Sequence, residues 1–172
     1  DDDGQVLPPG QYGELCITTL GVEAMPLLRY RTGDICCLHE TICVCGRRTP
    51  RISPVMGRRQ QRIKWKGTTL YPPAVFDVLQ RCSFVQDYVL EVRTDAHQLD
   101  ELTLFVSCTL PKEEADIQLR MMLQSYLRVS PVLVFLSLRE MEQRIHASGQ
   151  RKAQRFFDYR RSSVLHDGKD TN

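Results

Sequence analysis

The chain has 172 residues, 42% of them hydrophobic and 26% charged, with 23 basic against 21 acidic side chains and a net charge of +2. That is ordinary globular composition, long enough for one domain or for one domain plus part of another. It contains no apolar run near the roughly 18 residues that span a bilayer, which excludes a membrane-spanning helix, and no overall charge bias that would point to nucleic acid.

Residues 1–10 read as a loop, acidic at first and then Leu7-Pro8-Pro9-Gly10, a turn signal. The chain opens on Asp1 with no Met and no leader pattern, and is read as an excised piece of a longer polypeptide. Gly13 to Leu20 is rich in β-branched residues and predicts a strand. A second strand region runs from Leu27 to Leu38, broken by Thr32-Gly33-Asp34, and a short third covers Thr41 to Val44, ended by Gly46. Residues 46–66 hold Arg47, Arg48, Arg51, Arg58, Arg59, Arg62, Lys64 and Lys66 with no acidic residue between them, the pattern of a domain junction.

Beyond the junction the pattern is regular. Gly67 to Tyr71 predicts a strand, and Pro72-Pro73 starts a helix through Leu79, because proline suits the first helical turn. Strands are expected over Val85 to Arg93 and Leu102 to Leu110. A helix is expected over Lys112 to Val129, where Leu119, Met122, Leu123, Tyr126 and Leu127 share one face. Val132 to Leu138 predicts a last strand, completing a βαββαβ unit of the ferredoxin-like kind. The tail from 162 to 172 is polar and expected to be disordered. The fold class is therefore α+β.

Seven cysteines, an odd number, argue against a secreted disulfide framework and for a cytoplasmic protein with reduced thiols. Cys16, Cys82 and Cys108 stand in apolar surroundings and are expected in the core. Cys36, Cys37, His39, Cys43 and Cys45 are dense enough in thiolate and imidazole to suit tetrahedral zinc, or they simply pack.

Three further strings could carry chemistry. Asp34, directly after Thr32-Gly33, could accept hydrogen bonds from the vicinal hydroxyls of a ribose, or merely cap its own turn. The basic stretch around Gly57-Arg58, with Trp65 inside it, suits a phosphate-bearing ligand, a single-strand nucleic-acid groove or plain solvation. Ser148-Gly149-Gln150-Arg151-Lys152 is a glycine loop that could deliver a lysine charge to a transferring phosphate, or a basic tail. No glycine-rich phosphate cradle and no Ser-His-Asp or Cys-His arrangement is present.

Taken in order, Gly13-Glu14-Leu15, Glu23 to Asp34, Cys43-x-Cys45-Gly46-Arg47, Pro50-Arg51-Ile52, Gly57-Arg58, Lys66-Gly67 and Tyr71-Pro72 resemble the phenylacetate–coenzyme A ligase family of adenylate-forming enzymes, from about Gly4 to Asp158. The resemblance implies three regions. Residues 1–58 would be the β-rich end of a large N-terminal domain, 59–161 a mobile C-terminal domain, and 162–172 a tail. The missing N-terminal domain would carry the ATP phosphate loop and most of the acid pocket, so the chain alone is expected to be inactive.

It implies an ATP-dependent activation of a small carboxylic acid, aryl or arylacetic, as an acyl-adenylate, then transfer to coenzyme A with release of AMP and pyrophosphate. Magnesium would accompany ATP. Asp34 would hold the ribose of AMP, Arg58 would contact the nucleotide, and Lys152 would stabilise the adenylation transition state. The family's Gly-Lys-Ala-Lys-Arg is spaced differently here, which makes Arg151 a rival. Lys66 and Gly67 would border the pantetheine channel, and Cys43 and Cys45 would bind zinc (Zn2+), as in some relatives, together with two ligands from the large domain.

The family's hinge string Gly-Arg-x-Asp-Asp reads Gly57-Arg58-Arg59-Gln60-Gln61 here. That departure raises a second reading, an adenylating enzyme passing its acyl group to an amine or a carrier protein. A third reading is a non-catalytic zinc-bearing module that binds nucleic acid or protein.

Overall fold

The computed structural model describes residues 1–146 and 153–160. The chain divides into two compact units, Asp1–Arg62 and Ile63–Asn172.

The first unit is a small sheet. Strand β1 (Tyr12–Ile17) pairs antiparallel with the long β2 (Tyr30–His39). The end of β2 pairs with β3 (Arg51–Ile52) and its middle with β4 (Gly57–Arg58), both antiparallel. A single 3-10 turn follows over Arg59–Gln61. The strand expected over 41–44 is not formed. Those residues lead into a turn closed by Gly46 N–H donating to the Cys43 carbonyl (2.8 Å) and Cys43 N–H donating to the Arg47 carbonyl (3.0 Å). Leu38 and His39 already take Ile52 and Arg51 as ladder partners. Cys16, expected in the core, is exposed on β1.

The second unit begins with a hairpin, β5 (Ile63–Trp65) and β6 (Thr68–Leu70), followed by α1 (Pro72–Gln80). Next come β7 (Val85–Thr94), β8 (Asp100–Cys108), α2 (Lys112–Leu127), β9 (Val132–Phe135), α3 (Leu138–Ile145) and β10 (Phe156–Asp158). The main sheet runs β10-β7-β8-β9, with β7 and β8 antiparallel and each edge strand parallel to its neighbour. The α+β class is as expected, with two differences in detail. The strand at 67–71 pairs locally with β5, because a two-residue turn closes that hairpin at small entropic cost. The fourth strand of the main sheet is instead β10, reached through α3.

Alternation along β7 and β8 sends successive side chains to opposite faces. Leu90, Val92, Leu102, Leu104 and Val106 face a core shared with Val75, Val78 and Leu79 of α1 and Leu119 and Leu123 of α2. Val89 packs on the other face with Met141 and Ile145 of α3 and with Phe105 and Phe157. No helix among the described residues is long and apolar enough to cross a membrane.

Candidate functional site

The Thr32-Gly33-Asp34 string shapes the site in the first unit. In the ladder Glu14 pairs with Ile35 and Cys16 with Arg31, so Leu15 alone stands opposite Thr32, Gly33 and Asp34. The extra residues bulge out of β2. Gly33 takes φ +80°, and a Cβ there would meet nothing within 4 Å, so glycine is needed for the backbone turn and not for space. The Thr32 hydroxyl closes the bulge: it donates to the Leu15 carbonyl (3.1 Å) and accepts from Asp34 N–H (3.1 Å).

Asp34 is the cross-strand partner of Arg58 on β4. Arg58 Nε lies 3.4 Å from Asp34 Oδ1, with the aspartate side chain 27% exposed and the arginine 69%. Two residues singled out separately in the sequence thus form one surface pair. The contact is longer than the roughly 2.8 Å of a tight charge-assisted bond, which leaves the carboxylate able to accept hydroxyl protons.

Glu14 and Arg59 were quoted in the sequence only as members of longer strings, with no role of their own. Glu14 accepts from Arg31 Nε (2.8 Å) and Arg59 Nη1 (3.1 Å), and Arg59 Nη2 also reaches Asp2 Oδ1 at 2.8 Å. The Arg31 hydrogen bond, more than any other contact, holds the Glu14 carboxyl below its ordinary range. Arg51 donates to the Thr41 carbonyl and hydroxyl at 3.1 and 3.2 Å. The basic stretch therefore meets its anions across the fold, at Asp2, Glu14 and Asp34. Counting charge locally could not find them.

Cys43 and Cys45 share the exposed turn after β2. The Cys43 thiol is held below its usual range, chiefly by the Cys45 backbone N–H and next by the Cys45 side chain. Cys36 and Cys37 are buried within β2, and burial pushes the Cys36 thiol up. Among the described residues no three His, Cys, Asp or Glu side chains come together to hold a metal ion. Two thiols do not close a four-coordinate zinc site, so these residues do not by themselves fit the expected zinc.

In the second unit, Lys66 and Gly67 form the hairpin tip, with φ +43° and +84°. Both central residues have positive φ, as a tight hairpin turn requires. Lys66 Nζ lies 5.4 Å from the Trp65 ring centroid, and Trp65 packs against the core. Lys64 N–H donates to Asp100 Oδ2 at 2.8 Å, anchoring the hairpin to β8. Lys152 and its rival Arg151 lie outside the described residues, as does the tail from 162 to 172. Gln154 N–H donates to the Ile145 carbonyl at 3.3 Å, so the chain on either side of residues 147–152 is drawn together.

No protein-family model matches the chain. The phenylacetate-coenzyme A ligase of Thermus thermophilus is 41% identical over 111 residues, covering 64% of this chain and 25% of that protein. The phenylacetate-coenzyme A ligase of Aromatoleum evansii is 38% identical over 104 residues, covering 60% of this chain and 23% of that protein. The chain thus spans about a quarter of the length of the curated relatives it matches. Among solved structures, 2-hydroxyisobutyryl-CoA ligase in its postadenylation state superposes with a TM-score of 0.73 at 22% identity, over 88% of this chain and 33% of that one. That likeness is one of fold. The chain is thus similar in sequence to phenylacetate-coenzyme A ligases over about 60% of its length, and its fold is like that of part of 2-hydroxyisobutyryl-CoA ligase.

Proposed function

We propose that these residues are the C-terminal part of an ATP-dependent ligase that joins a small carboxylic acid, aryl or arylacetic, to coenzyme A in the cytoplasm. The observation that carries the reading is the Asp34–Arg58 pair, a carboxylate and a guanidinium side by side on an exposed bulge. Asp34 accepts hydrogen bonds from the two ribose hydroxyls of ATP. Arg58 gives way from Asp34 to the nucleotide's anionic side. The acid's carboxylate attacks the α-phosphorus and pyrophosphate leaves; a magnesium ion accompanying ATP would offset the charge of the phosphates. Lys152 supplies positive charge to the phosphorus oxygens as they gain charge in the transition state. In the second half-reaction the thiol of coenzyme A attacks the acyl carbonyl and AMP leaves, with the Lys66-Gly67 tip beside the pantetheine arm. The unit from Ile63 onward is the mobile domain in this reading, and Gln60 stands at the hinge.

The test is acid-dependent ATP–pyrophosphate exchange by the whole polypeptide that contains these residues, against a panel of aryl and arylacetic acids. Lys152→Ala should lower exchange by about 10²-fold or more, the usual loss when a transition-state donor is removed. Asp34→Ala should raise KM for ATP about tenfold, the equivalent of one or two lost hydrogen bonds to a charged group. Exchange that survives in Lys152→Ala moves the role to Arg151 or elsewhere. No exchange with any acid refutes the reading.

Gln60 and Gln61 in place of the family's hinge carboxylates favour a second reading, transfer of the acyl group to an amine or a carrier protein. Products formed with and without coenzyme A separate the two.

A further inference from the structure

We propose that Glu14 is a positioning residue for the Asp34–Arg58 pair, one carboxylate on β1 that fixes both segments presenting it. What the pair binds rests on the ligase reading above. How the pair is held rests on the first unit alone.

The β2–β4 ladder that registers Asp34 against Arg58 is only two pairs long, Asp34 with Arg58 and Ile35 with Gly57. Asp34 sits in a bulge with three residues opposite one, and Gly33 gives that bulge a permissive backbone. Arg58 ends a strand of two residues. Glu14 is placed to correct both. It lies opposite Ile35, the residue directly after Asp34. Its side chain is only 11% exposed. Arg31, at the near foot of the bulge, donates to it from Nε at 2.8 Å. Arg59, adjoining Arg58 in the chain, donates from Nη1 at 3.1 Å. One carboxylate oxygen, Glu14 Oε2, therefore ties the strand entering the bulge to the backbone leaving β4, accepting from Nε and Nη2 of Arg31 and from Nη1 of Arg59. Arg59 is held from its other side by Asp2 at 2.8 Å, which steadies the same segment.

The consequence is functional and not only structural. An Asp34 that is less firmly placed holds the ribose less tightly in ground state and transition state alike, so the loss falls on nucleotide binding and not on the chemical step. Glu14 touches neither nucleotide nor acid. It acts by holding the backbone of Asp34 and Arg58 in cross-strand register.

The experiment has two arms. In the whole ligase polypeptide, Glu14→Gln should raise KM for ATP in pyrophosphate exchange about tenfold, with the rate at saturating ATP within about twofold of wild type, the signature of lost uniform binding. Glu14→Asp should recover part of the loss. Arg59→Met should reproduce the KM effect while leaving the Glu14–Arg31 contact in place. In the 172-residue chain, the backbone nuclear Overhauser effect between Asp34 and Arg58 should weaken in Glu14→Gln, while those between Gly13 and Cys36 persist.

An unchanged KM in both Glu14→Gln and Arg59→Met overturns the proposal. So does loss of the whole β1–β2 ladder in Glu14→Gln with Arg59→Met unaffected, because Glu14 would then be structural only. If wild type exchanges with no acid, the ligase reading falls, and the spectroscopic arm alone decides whether Glu14 holds the pair.

Discussion

The buried ion pair of the second unit permits a worked prediction. Glu91 sits in the middle of β7 on the face covered by α3, and its side chain is 4% exposed. Its partners are Arg144 of α3, which donates from Nε at 2.9 Å and also from Nη2, and Arg93 at 3.4 Å. The Arg144 guanidinium also lies 3.7 Å from the Phe105 ring centroid. Arg144→Met keeps an unbranched apolar stem and removes the guanidinium with its charge. Breaking a buried pair from one side ordinarily costs about 3–5 kcal/mol, because an uncompensated charge is left behind. Two facts reduce that here: Arg93 remains as a weaker partner, and Arg144 is itself 34% exposed. The expected loss is about 2–3 kcal/mol once water reaches the remaining carboxylate.

Trp65 is the single tryptophan and packs against this unit's core, so its fluorescence reports this unit's unfolding. With a urea m-value of about 1–3 kcal/mol/M, the midpoint should fall by about 1–2 M. Glu91→Met with Arg144→Met should recover most of the loss, since two apolar side chains need no compensation. A single variant within about 0.5 kcal/mol of wild type, the range of an ordinary surface change, would refute the argument. A double variant less stable than the single would refute it equally.

Three further predictions concern other parts of the molecule. Glu14 is depressed below its ordinary 4.5 in the folded state, so its contribution is fully present above that value and is lost as pH falls through the folded value. An acid titration of β1–β2 amide signals should show that loss, and Glu14→Gln should flatten it. Alkylation by iodoacetamide near neutral pH should label Cys43 ahead of Cys36, Cys82 and Cys108, whose thiols burial pushes up; peptide mass spectrometry showing Cys82 modified first in the folded chain would contradict this. Ser137→Ala removes the hydroxyl that, with Glu140, caps α3, and should lower the urea midpoint by the equivalent of about 1 kcal/mol.

The second unit was the more legible half, and its residues show why. Helix α1 was expected over 72–79 and runs Pro72–Gln80, and α2 was expected over 112–129 and runs Lys112–Leu127. Both carry local signals, prolines at the start of one and an apolar face along the other. Strands β7 and β8 fall within two residues of expectation, because runs such as Val89 to Val92 read as strand wherever they stand. Helix α3 was missed, its first residue absorbed into the strand expected over 132–138. The signal was present in Ser137-x-x-Glu140, a capping box, with Leu138, Met141 and Ile145 at helical spacing behind it. Strand β10 carries no such signal. Phe156 to Asp158 are extended because β7 offers a parallel partner, and long-range pairing of that kind leaves no local periodicity.

The candidate site divides along the same line. Asp34 and Arg58 were found as separate strings, because each belongs to a short motif with its own chemistry. Their pairing depends on β4 folding back onto β2 across 24 positions of chain, which no local pattern encodes. The acidic side of the basic stretch is farther still: Glu14 is 45 residues from Arg59. A run of arginines therefore carries little information about its partner until the topology is known. In this chain the topology assigns two of them, Arg58 and Arg59, to Asp34 and Glu14, with Arg31 of β2 joining Arg59 on Glu14. That placement matches part of the basic stretch to carboxylates of its own unit, and it is why Glu14, quoted in the sequence only within Gly13-Glu14-Leu15, becomes the residue to test.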